Sequence, residues 1–452
     1  MENNKQYNAT HLILGLGKSG LSCARYFDRI GQGYCLLDTR NNPPGLDQVA
    51  DLTHCETTIF GRLDLTLLDD CKMLIVSPGI ALSQPFVSEA IKRNLDVCGD
   101  IELFARACDK PVIAITGSNG KSTVTDLTEK LINAAGVNCQ KGGNIGLPAL
   151  DFLPMQRADI YVLELSSFQL DTTHSLKAKV SVLLNVSEDH MDRYESFTEY
   201  TNSKQSIYKN AEHKVFNGED KLTYPRSISA KDYAFSIDNP SDTVVQKVSY
   251  LKPKGSNFDL VVDHSVIIST GSLQMTGRHN WLNGLTCLSI LKCLELPISE
   301  EVLQSLENYQ GLAHRFQKVS GKFECDWIND SKATNVGATV AAINSIHLQK
   351  NKVILIAGGD SKKSDLSPLT DIFERKICSL ILLGKDAQLL SDLTSKVDSY
   401  FVESMEQAVS KAKQLASAGD IILLSPACSS LDMYKNFEAR GDAFVSAIRK
   451  CA

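Results

Sequence analysis

The residues best suited to chemistry lie in Pro111-Val-Ile-Ala-Ile-Thr-Gly-Ser-Asn-Gly-Lys-Ser-Thr123. An apolar, β-branched run reads as a buried parallel strand, and Gly117, Ser118, Asn119 and Gly120 form a small-residue turn after it. Lys121, Ser122 and Thr123 then open a segment with helical spacing of its apolar positions. This order is a physical recipe for gripping a polyphosphate. Glycines admit backbone N–H groups to the oxygens, a helix N-terminus favours negative charge, Lys121 adds a point charge and Ser122 offers a hydroxyl to Mg²⁺. The strict phosphate-loop pattern has a glycine where this chain has Ile115, so the loop is a shortened variant, with ATP the expected ligand.

Further candidates follow it. Glu164 interrupts the apolar run Asp159-Ile-Tyr-Val-Leu-Glu164-Leu. A buried carboxylate needs a cation, either Mg²⁺ beside the phosphate loop or a core lysine or arginine. His190 stands among Glu188, Asp189 and Asp192 after the strand Val180–Leu184, a setting that favours a functional site over a satisfied core histidine. Lys204 reads by composition as a helix-surface lysine. Asn280 and Asn283 open a helix expected from Trp281 to Leu294, where their amides either read a purine edge or cap the helix.

A second glycine motif lies near the start. Leu12-Ile13-Leu14 precedes Gly15-Leu-Gly17-Lys18-Ser19-Gly20, a helix is expected from Leu21 to Ile30, and the strand Tyr34–Asp38 ends in an acid. Such a βαβ unit holds a diphosphate-linked nucleotide, with Asp38 placed for a ribose hydroxyl, unless the glycines serve only tight packing. Ser77-Pro78-Gly79 ends the strand Met73–Val76, at the edge where open parallel sheets take ligands. Lys141-Gly-Gly-Asn144-Ile-Gly-Leu-Pro148 has too many glycines for a regular element and reads as a loop.

These groups need scaffolding of ordinary α/β type. A length of 452 residues suggests about three domains. From Lys214 to about Met275, short alternating runs such as Thr243-Val-Val and Val266-Ile-Ile suggest β-hairpins appended to a sheet. Beyond Gly311-Leu-Ala-His-Arg315-Phe316, strands at Phe323–Ile328, Lys352–Ala357, Leu380–Leu383 and Asp420–Leu424 end in Gly, Ser, Asp or Lys and lead into helices, the pattern of a doubly wound sheet. A net charge of −6 disfavours nucleic acid as a partner. The 13 cysteines include no C-x-x-C pair and point to a reducing compartment; with a polar start and no apolar run of spanning length, a cytoplasmic protein without membrane insertion is expected.

Seven stretches together resemble the Mur ligase family, and within it the members that add D-glutamate. They are Gly15-Leu-Gly17, Gly99-Asp-Ile-Glu-Leu-Phe104, Ile115–Thr123, Leu163-Glu-Leu-Ser-Ser-Phe-Gln-Leu170, Glu188-Asp-His-Met-Asp-Arg-Tyr194, Asn329-Asp-Ser-Lys-Ala-Thr-Asn335 and Ser425-Pro-Ala-Cys-Ser-Ser-Leu-Asp432. The likeness runs through nearly the whole chain and is weakest from about 221 to 275. It implies an α/β fold of three domains: a Rossmann-like UDP-substrate domain over 1–99, a central P-loop ATPase-type domain over 100–311, and a C-terminal Rossmann-like amino-acid domain over 312–452. Hinges are expected near Asp100 and Gly311.

The resemblance also implies roles. Gly15, Gly17, Lys18, Ser19, Asp38, Thr39, Arg40, Ser77, Pro78, Gly79 and Asn144 would bind the UDP substrate. ATP would be held by Gly117 through Thr123, with Asn280, Asn283, Arg315, Asp330 and Lys332. Thr334, Lys362, Ser430 and Phe437 would receive D-glutamate, with Lys363 beside Lys362 leaving that lysine's identity open. Lys121, Glu164, His190 and Lys204 would be catalytic, and two Mg²⁺ ions would be met by Ser122, Glu164, His190 and a carbamylated Lys204. The implied reaction joins D-glutamate to UDP-N-acetylmuramoyl-L-alanine through an acyl phosphate, performed by a monomer. The rivals are a folylpolyglutamate-type ligase, an NAD-dependent oxidoreductase built on the first glycine motif, and a nucleotide-gated binding module.

Overall fold

The computed structural model describes residues 10–154, 158–239, 245–321, 325–346 and 352–451. The polar start, Thr243-Val244 and Phe323 lie outside them. The strands assort into three sheets of five, nine and six strands.

The first sheet is wholly parallel, in the spatial order Cys55–Phe60, Tyr34–Asp38, His11–Leu14, Met73–Val76, Asp96–Cys98. The glycine motif sits where the His11–Leu14 strand meets the helix Lys18–Arg29, which starts three residues earlier than its apolar spacing suggests. Gly20 explains the tight turn: a methyl group there would collide with the Gly15 carbonyl oxygen.

The central sheet carries the phosphate loop. Its parallel part runs Cys139–Gly143, Ile160–Glu164, Val112–Thr116, Val180–Leu183, His213–Asn217, Tyr233–Ser236, Lys247–Lys254. Only Asn257–Val262 and Ser265–Ser269 pair antiparallel. The appended hairpins occupy only the later part of the 214–275 stretch, because His213–Asn217 and Tyr233–Ser236 continue the parallel sheet. A correction concerns Lys141-Gly142-Gly143, which belong to an edge strand and not a loop. Gly142 is needed there because the Leu147 carbonyl and the Phe152 ring close over it, leaving no room for a side chain. Every residue of Val112–Thr116 is buried, as expected for a strand with neighbours on both sides.

The third sheet orders Gln317–Val319, Asp326–Asn329, Ile421–Leu424, Val353–Ala357, Ile377–Leu382, Asp398–Phe401, with only the first pair antiparallel. Between the second and third sheets the chain turns through Gly311, His314 and Phe316, all with left-handed φ.

The helix Asp100–Ala107 lies between the first and second sheets and is tied to the second by Glu102. That carboxylate accepts from the backbone N–H of His174 (2.7 Å) and of Ser175 (2.8 Å) and from Arg106 Nε (2.9 Å). Burial by itself would raise its pKa, but these donors outweigh burial and hold it at about 2. A carboxyl whose pKa falls on folding adds stability above its unfolded value near 4.5, and that stability is lost as the pH drops toward 2. A Glu102→Gln variant should therefore be less stable than wild type at pH 7, by up to about 3 kcal/mol. The difference should shrink as the pH falls below 4, as measured by urea unfolding at both pH values. A pH-independent difference would mean that Glu102 acts only through packing.

Candidate active site

The phosphate loop follows the Val112–Thr116 strand and leads into the helix Lys121–Ala134. Gly120 precedes that helix at φ +84°, a left-handed conformation that glycine adopts without strain. The loop is braced from the next strand's end: Asn185 O accepts from Ser118 N (2.9 Å) and Asn185 Oδ1 from Asn119 N (2.8 Å). Lys121 Nζ folds over its own loop, donating to the carbonyls of Gly117 (2.6 Å) and Ser118 (2.9 Å). Burial lowers its pKa, with Glu164 and Asp189 opposing.

Glu164 ends the Ile160–Glu164 strand, paired with Ile115 of the loop strand and 3% exposed. Its Oε1 accepts from Asn144 Nδ2 at 2.9 Å, while Oε2 is buried with no hydrogen-bond donor. No core lysine or arginine forms an ion pair with it among the described residues. Lys204, on the helix Phe197–Gln205, is not a surface residue. It is 2% exposed, donates to Gly117 O at 3.0 Å, and lies 4.7 Å from the centre of the Tyr200 ring. Burial first, then the charge of Lys121, pushes its pKa well below that of an ordinary lysine.

His190 is left-handed at φ 58°, with its ring 4.9 Å from that of Phe168. Burial lowers its pKa against the pull of Asp189, which favours the neutral imidazole. Among the described residues no three His, Cys, Asp or Glu side chains are grouped closely enough to hold a metal on their own.

All these groups line one cleft of about 680 Å³. It also takes in Ser118 to Thr123, Asn144, Asn280, Asn283, Arg315, Asp330, Lys332, Thr334, Lys362, Ser430 and Phe437. Gly117 contributes its carbonyl to the two lysines. Lys362, and not Lys363, lines the cleft, although both residues have positive φ. The helix that carries Asn280 begins at Arg278 with Gly277 at the cap position, so Asn280 does not cap it. Its amide instead donates to Thr276 O at 2.9 Å, and Asn283 Nδ2 donates to Asn280 Oδ1 at 3.4 Å.

On the facing wall, Lys332 Nζ lies 4.2 Å from the Phe437 ring centre. Burial, then Arg315 and Lys121, lowers its pKa to about 8. Burial raises Asp330 to about 7, although it accepts from Ser425 Oγ (2.9 Å) and Phe316 N (3.1 Å).

The remaining candidates gather at the first sheet's C-terminal edge and not in this cleft. Ser77 Oγ donates to Gly15 O at 2.7 Å, joining the Ser77-Pro78-Gly79 turn to the glycine motif. Lys18, Thr39, Arg40 and Gly79 are exposed there, with Ser19 and Pro78 half-buried; Gly17 has open space beside it. Asp38 differs from expectation. It is 1% exposed and both its oxygens are taken, by Leu16 N (2.8 Å) and by Arg40 N (2.9 Å), Nε (2.9 Å) and Nη2 (2.8 Å). It therefore fixes the turn and orients Arg40 and has no lone pair turned to a ribose. Asn144, grouped with these residues by resemblance, instead braces Glu164 in the central cleft.

Sequence reasoning passed over several cleft residues. Asp189, Tyr200 and Asn335 line it, and beside it Arg193, packed with its guanidinium 4.3 Å from the ring centre of the lining Phe168, donates to Gly79 O (3.1 Å) and Pro78 O (3.4 Å) at the first sheet. Asp189 and Arg193 lie inside the acidic run around His190, a signal that pointed at the histidine alone. Asn335 closes the motif after Asp330.

Three family models cover most of the chain. The Mur ligase MurD-like N-terminal domain matches residues 9–99, the Mur ligase middle domain 115–291, and the Mur ligase glutamate ligase domain 314–428. A UDP-N-acetylmuramoylalanine–D-glutamate ligase of Pseudoalteromonas translucida is 42% identical over 440 residues, 96% of each chain. One of Nitrosococcus oceani is 43% identical over 450 residues, 98% of this chain and 97% of its own. Solved structures share the fold at low identity. A pseudomurein peptide ligase type C from Methanothermus fervidus aligns with a TM-score of 0.62 at 18% identity, over 97% of this chain and 99% of its own. A MurF ligase from Thermotoga maritima in complex with ADP gives 0.61 at 14% identity, over 93% and 96%. With relatives this similar along nearly its whole length, and a phosphate loop facing a lysine-lined wall, the chain belongs to the Mur ligase family, in the branch of the UDP-N-acetylmuramoylalanine–D-glutamate ligases.

Proposed function

We propose that this chain is an ATP-dependent ligase that joins D-glutamate to UDP-N-acetylmuramoyl-L-alanine, a step of peptidoglycan precursor synthesis. The observation that carries the reading is the single cleft in which the phosphate-loop lysine, Glu164 and His190 face Lys362, Ser430 and Phe437. ATP binds along the loop from Gly117 to Thr123, flanked by Asn280, Asn283, Arg315, Asp330 and Lys332. The UDP moiety lies on the first sheet's edge, over Gly15 to Ser19, Arg40 and Ser77 to Gly79, with Asp38 acting through Arg40 and the turn. D-Glutamate is received by Thr334, Lys362, Ser430 and Phe437. The domains divide at 99/100 and 311/312.

An amine cannot displace the oxygen of a carboxylate at neutral pH, so the acid must first be activated. The carboxylate oxygen of the alanyl substrate attacks the γ-phosphorus of ATP, and ADP leaves. The D-glutamate amine then attacks the acyl carbon, loses a proton, and inorganic phosphate departs. Lys121 offsets the repulsion between an anionic nucleophile and an anionic phosphoryl group.

The cleft suits Mg²⁺. Glu164 Oε2 is a buried carboxylate oxygen without a donor, and Mg²⁺ takes one or two such oxygens together with substrate phosphates and water. Ser122 and Glu164 would hold one ion, and neutral His190 with a carbamylated Lys204 a second; bound Mg²⁺ supplies the charge neutralisation that brings the reacting anions together. An ammonium at Lys204 could not serve, but its depressed pKa exposes the free amine that CO₂ modifies. The proposed enzyme acts as a monomer. The net charge of −6 gives no footprint for nucleic acid, and no described helix is long and apolar enough to cross a membrane. The need for ATP and a UDP-linked precursor supports a cytoplasmic location.

Phosphate release should require UDP-N-acetylmuramoyl-L-alanine and D-glutamate together; release with L-lysine or diaminopimelate but not D-glutamate would overturn the assignment. Lys121→Ala should lower the rate by about a thousandfold or more, in keeping with the loss of a charge acting on the transition state. In ¹³C-bicarbonate, wild type should show a carbamate carbon by NMR that is missing from Lys204→Ala. Its absence from wild type would remove Lys204 from the metal set.

A further inference from the structure

Asn335 makes more contacts across the cleft than its position suggests. It belongs to the third sheet's domain and precedes the helix Val336–Ser345. Its Oδ1 accepts from Ala338 N at 2.8 Å, capping that helix. The same amide faces the central domain at two points. It pairs with the amide of Asn119 in the phosphate loop, Nδ2 to Oδ1 at 3.3 Å and the reverse at 3.5 Å, and its Nδ2 also donates to Asp189 Oδ2 at 3.2 Å. Asp189 in turn is fixed by the His190 backbone N–H at 3.0 Å. One residue that is 5% exposed thus touches both the loop that holds phosphate and the turn that carries the histidine.

A second observation shows that this approach is built in. At Gly337 an added Cβ would lie 2.7 Å from Ser187 Oγ and 3.0 Å from Ser187 Cβ, so only glycine lets the helix come this close to the loop before His190.

Resting on the function proposed above, we infer that Asn335 is a positioning residue that latches the amino-acid domain onto the phosphate loop and the His190 turn. Its helix cap is oriented by the same oxygen that meets Asn119, so docking of the domain and placement of the two catalytic segments are one event. Activation of the carboxylate is thereby tied to the presence of the domain that brings the amine. A closed cleft is also what keeps water from the acyl phosphate.

The carboxylate of an Asn335→Asp variant keeps the cap acceptor, loses both donors and sets a like charge against Asp189, so it should fold yet resist closure. Expected are a kcat reduced about tenfold or more and a raised KM for D-glutamate. The KM for the UDP substrate and the melting temperature should stay near wild type. Asp189→Asn should be impaired, and the double variant Asn335→Asp/Asp189→Asn, which restores a donor facing an acceptor, should recover part of the lost kcat. Gly337→Val, a wedge without charge, should mimic Asn335→Asp. Domain closure on adding a non-hydrolysable ATP analogue, read by small-angle X-ray scattering, should be seen in wild type and the double variant but not in Asn335→Asp or Gly337→Val. Wild-type kcat and closure in Asn335→Asp, or no recovery in the double variant, would overturn the latch. Wild-type enzyme that releases no phosphate with D-glutamate would sink the functional reading instead, and the scattering comparison would still decide the latch.

Discussion

Two ammonium groups converge on a single carbonyl oxygen: Lys121 and Lys204 both donate to Gly117 O, at 2.6 and 3.0 Å. Like charges held this close in a buried site are unfavourable, and among the described residues neither lysine has an ion pair of its own. Burial pushes both pKa values down, and for Lys204, which falls the further, the charge of Lys121 adds to it. Beside them Glu164 leaves one buried oxygen without a donor. The cleft therefore holds unsatisfied groups of both signs that do not satisfy each other. Such an arrangement is costly for a folded chain by itself and becomes favourable when a polyphosphate and cations complete it.

The rest of the structure keeps that arrangement in place. The register of Ile115 with Glu164 sets loop and carboxylate at the same level of the sheet, and the edge strand Cys139–Gly143 ends where Asn144 can orient Glu164. Tyr200 accompanies Lys204, and its hydroxyl lies 3.0 Å from Ser118 Oγ, so the aromatic ring that tolerates the cation also braces the loop. On the other side Arg193 ties the His190 turn to the Ser77-Pro78-Gly79 turn of the first sheet. The first sheet's C-terminal edge and the cleft are thereby joined through one guanidinium packed on Phe168.

What could be read from sequence follows the range of the interactions. The phosphate loop was legible because strand, turn, lysine and helix start are adjacent in the chain. Glu164 was legible because an acid in an apolar run admits few explanations. The family likeness supplied Lys204, Arg315 and Lys362, which composition could not. Lys204 lies on a helix with only weak segregation of apolar and polar faces, and its burial comes from the loop and Tyr200, which are distant or invisible to periodicity. A terminal acid after a glycine motif can serve a ribose or a neighbouring arginine equally well, and here Arg40, two residues away, takes Asp38. The Lys141-Gly-Gly run was misread because glycines in an edge strand that other groups must approach closely resemble glycines in a loop. That His213–Asn217 and Tyr233–Ser236 extend the parallel sheet was not legible, because short strands give no sign of whether their neighbours run parallel.

The amino-acid side shows how a chain of net charge −6 can receive three anionic ligands. Positive charge is concentrated in the cleft, in Lys121, Arg315, Lys332 and Lys362, while one further cation is used purely as scaffold. Arg440, 2% exposed, donates to the carbonyls of Ser331 (2.8 Å), Cys428 (3.1 Å) and Gly358 (3.4 Å), and to Ser331 Oγ (3.1 Å). Those carbonyls belong to the three loops that present Lys332 with Thr334, Ser430, and Lys362. Burial lowers the Arg440 pKa to about 10, still far enough above neutrality for the guanidinium to stay charged. Its hydrogen bonds go to carbonyls and one hydroxyl, so the guanidinium crosslinks the three loops, while the nearby Asp432 and Asp330 favour its charged form. One side chain thus fixes the relative positions of the three loops, which explains why a buried arginine is placed behind a pocket that it does not line.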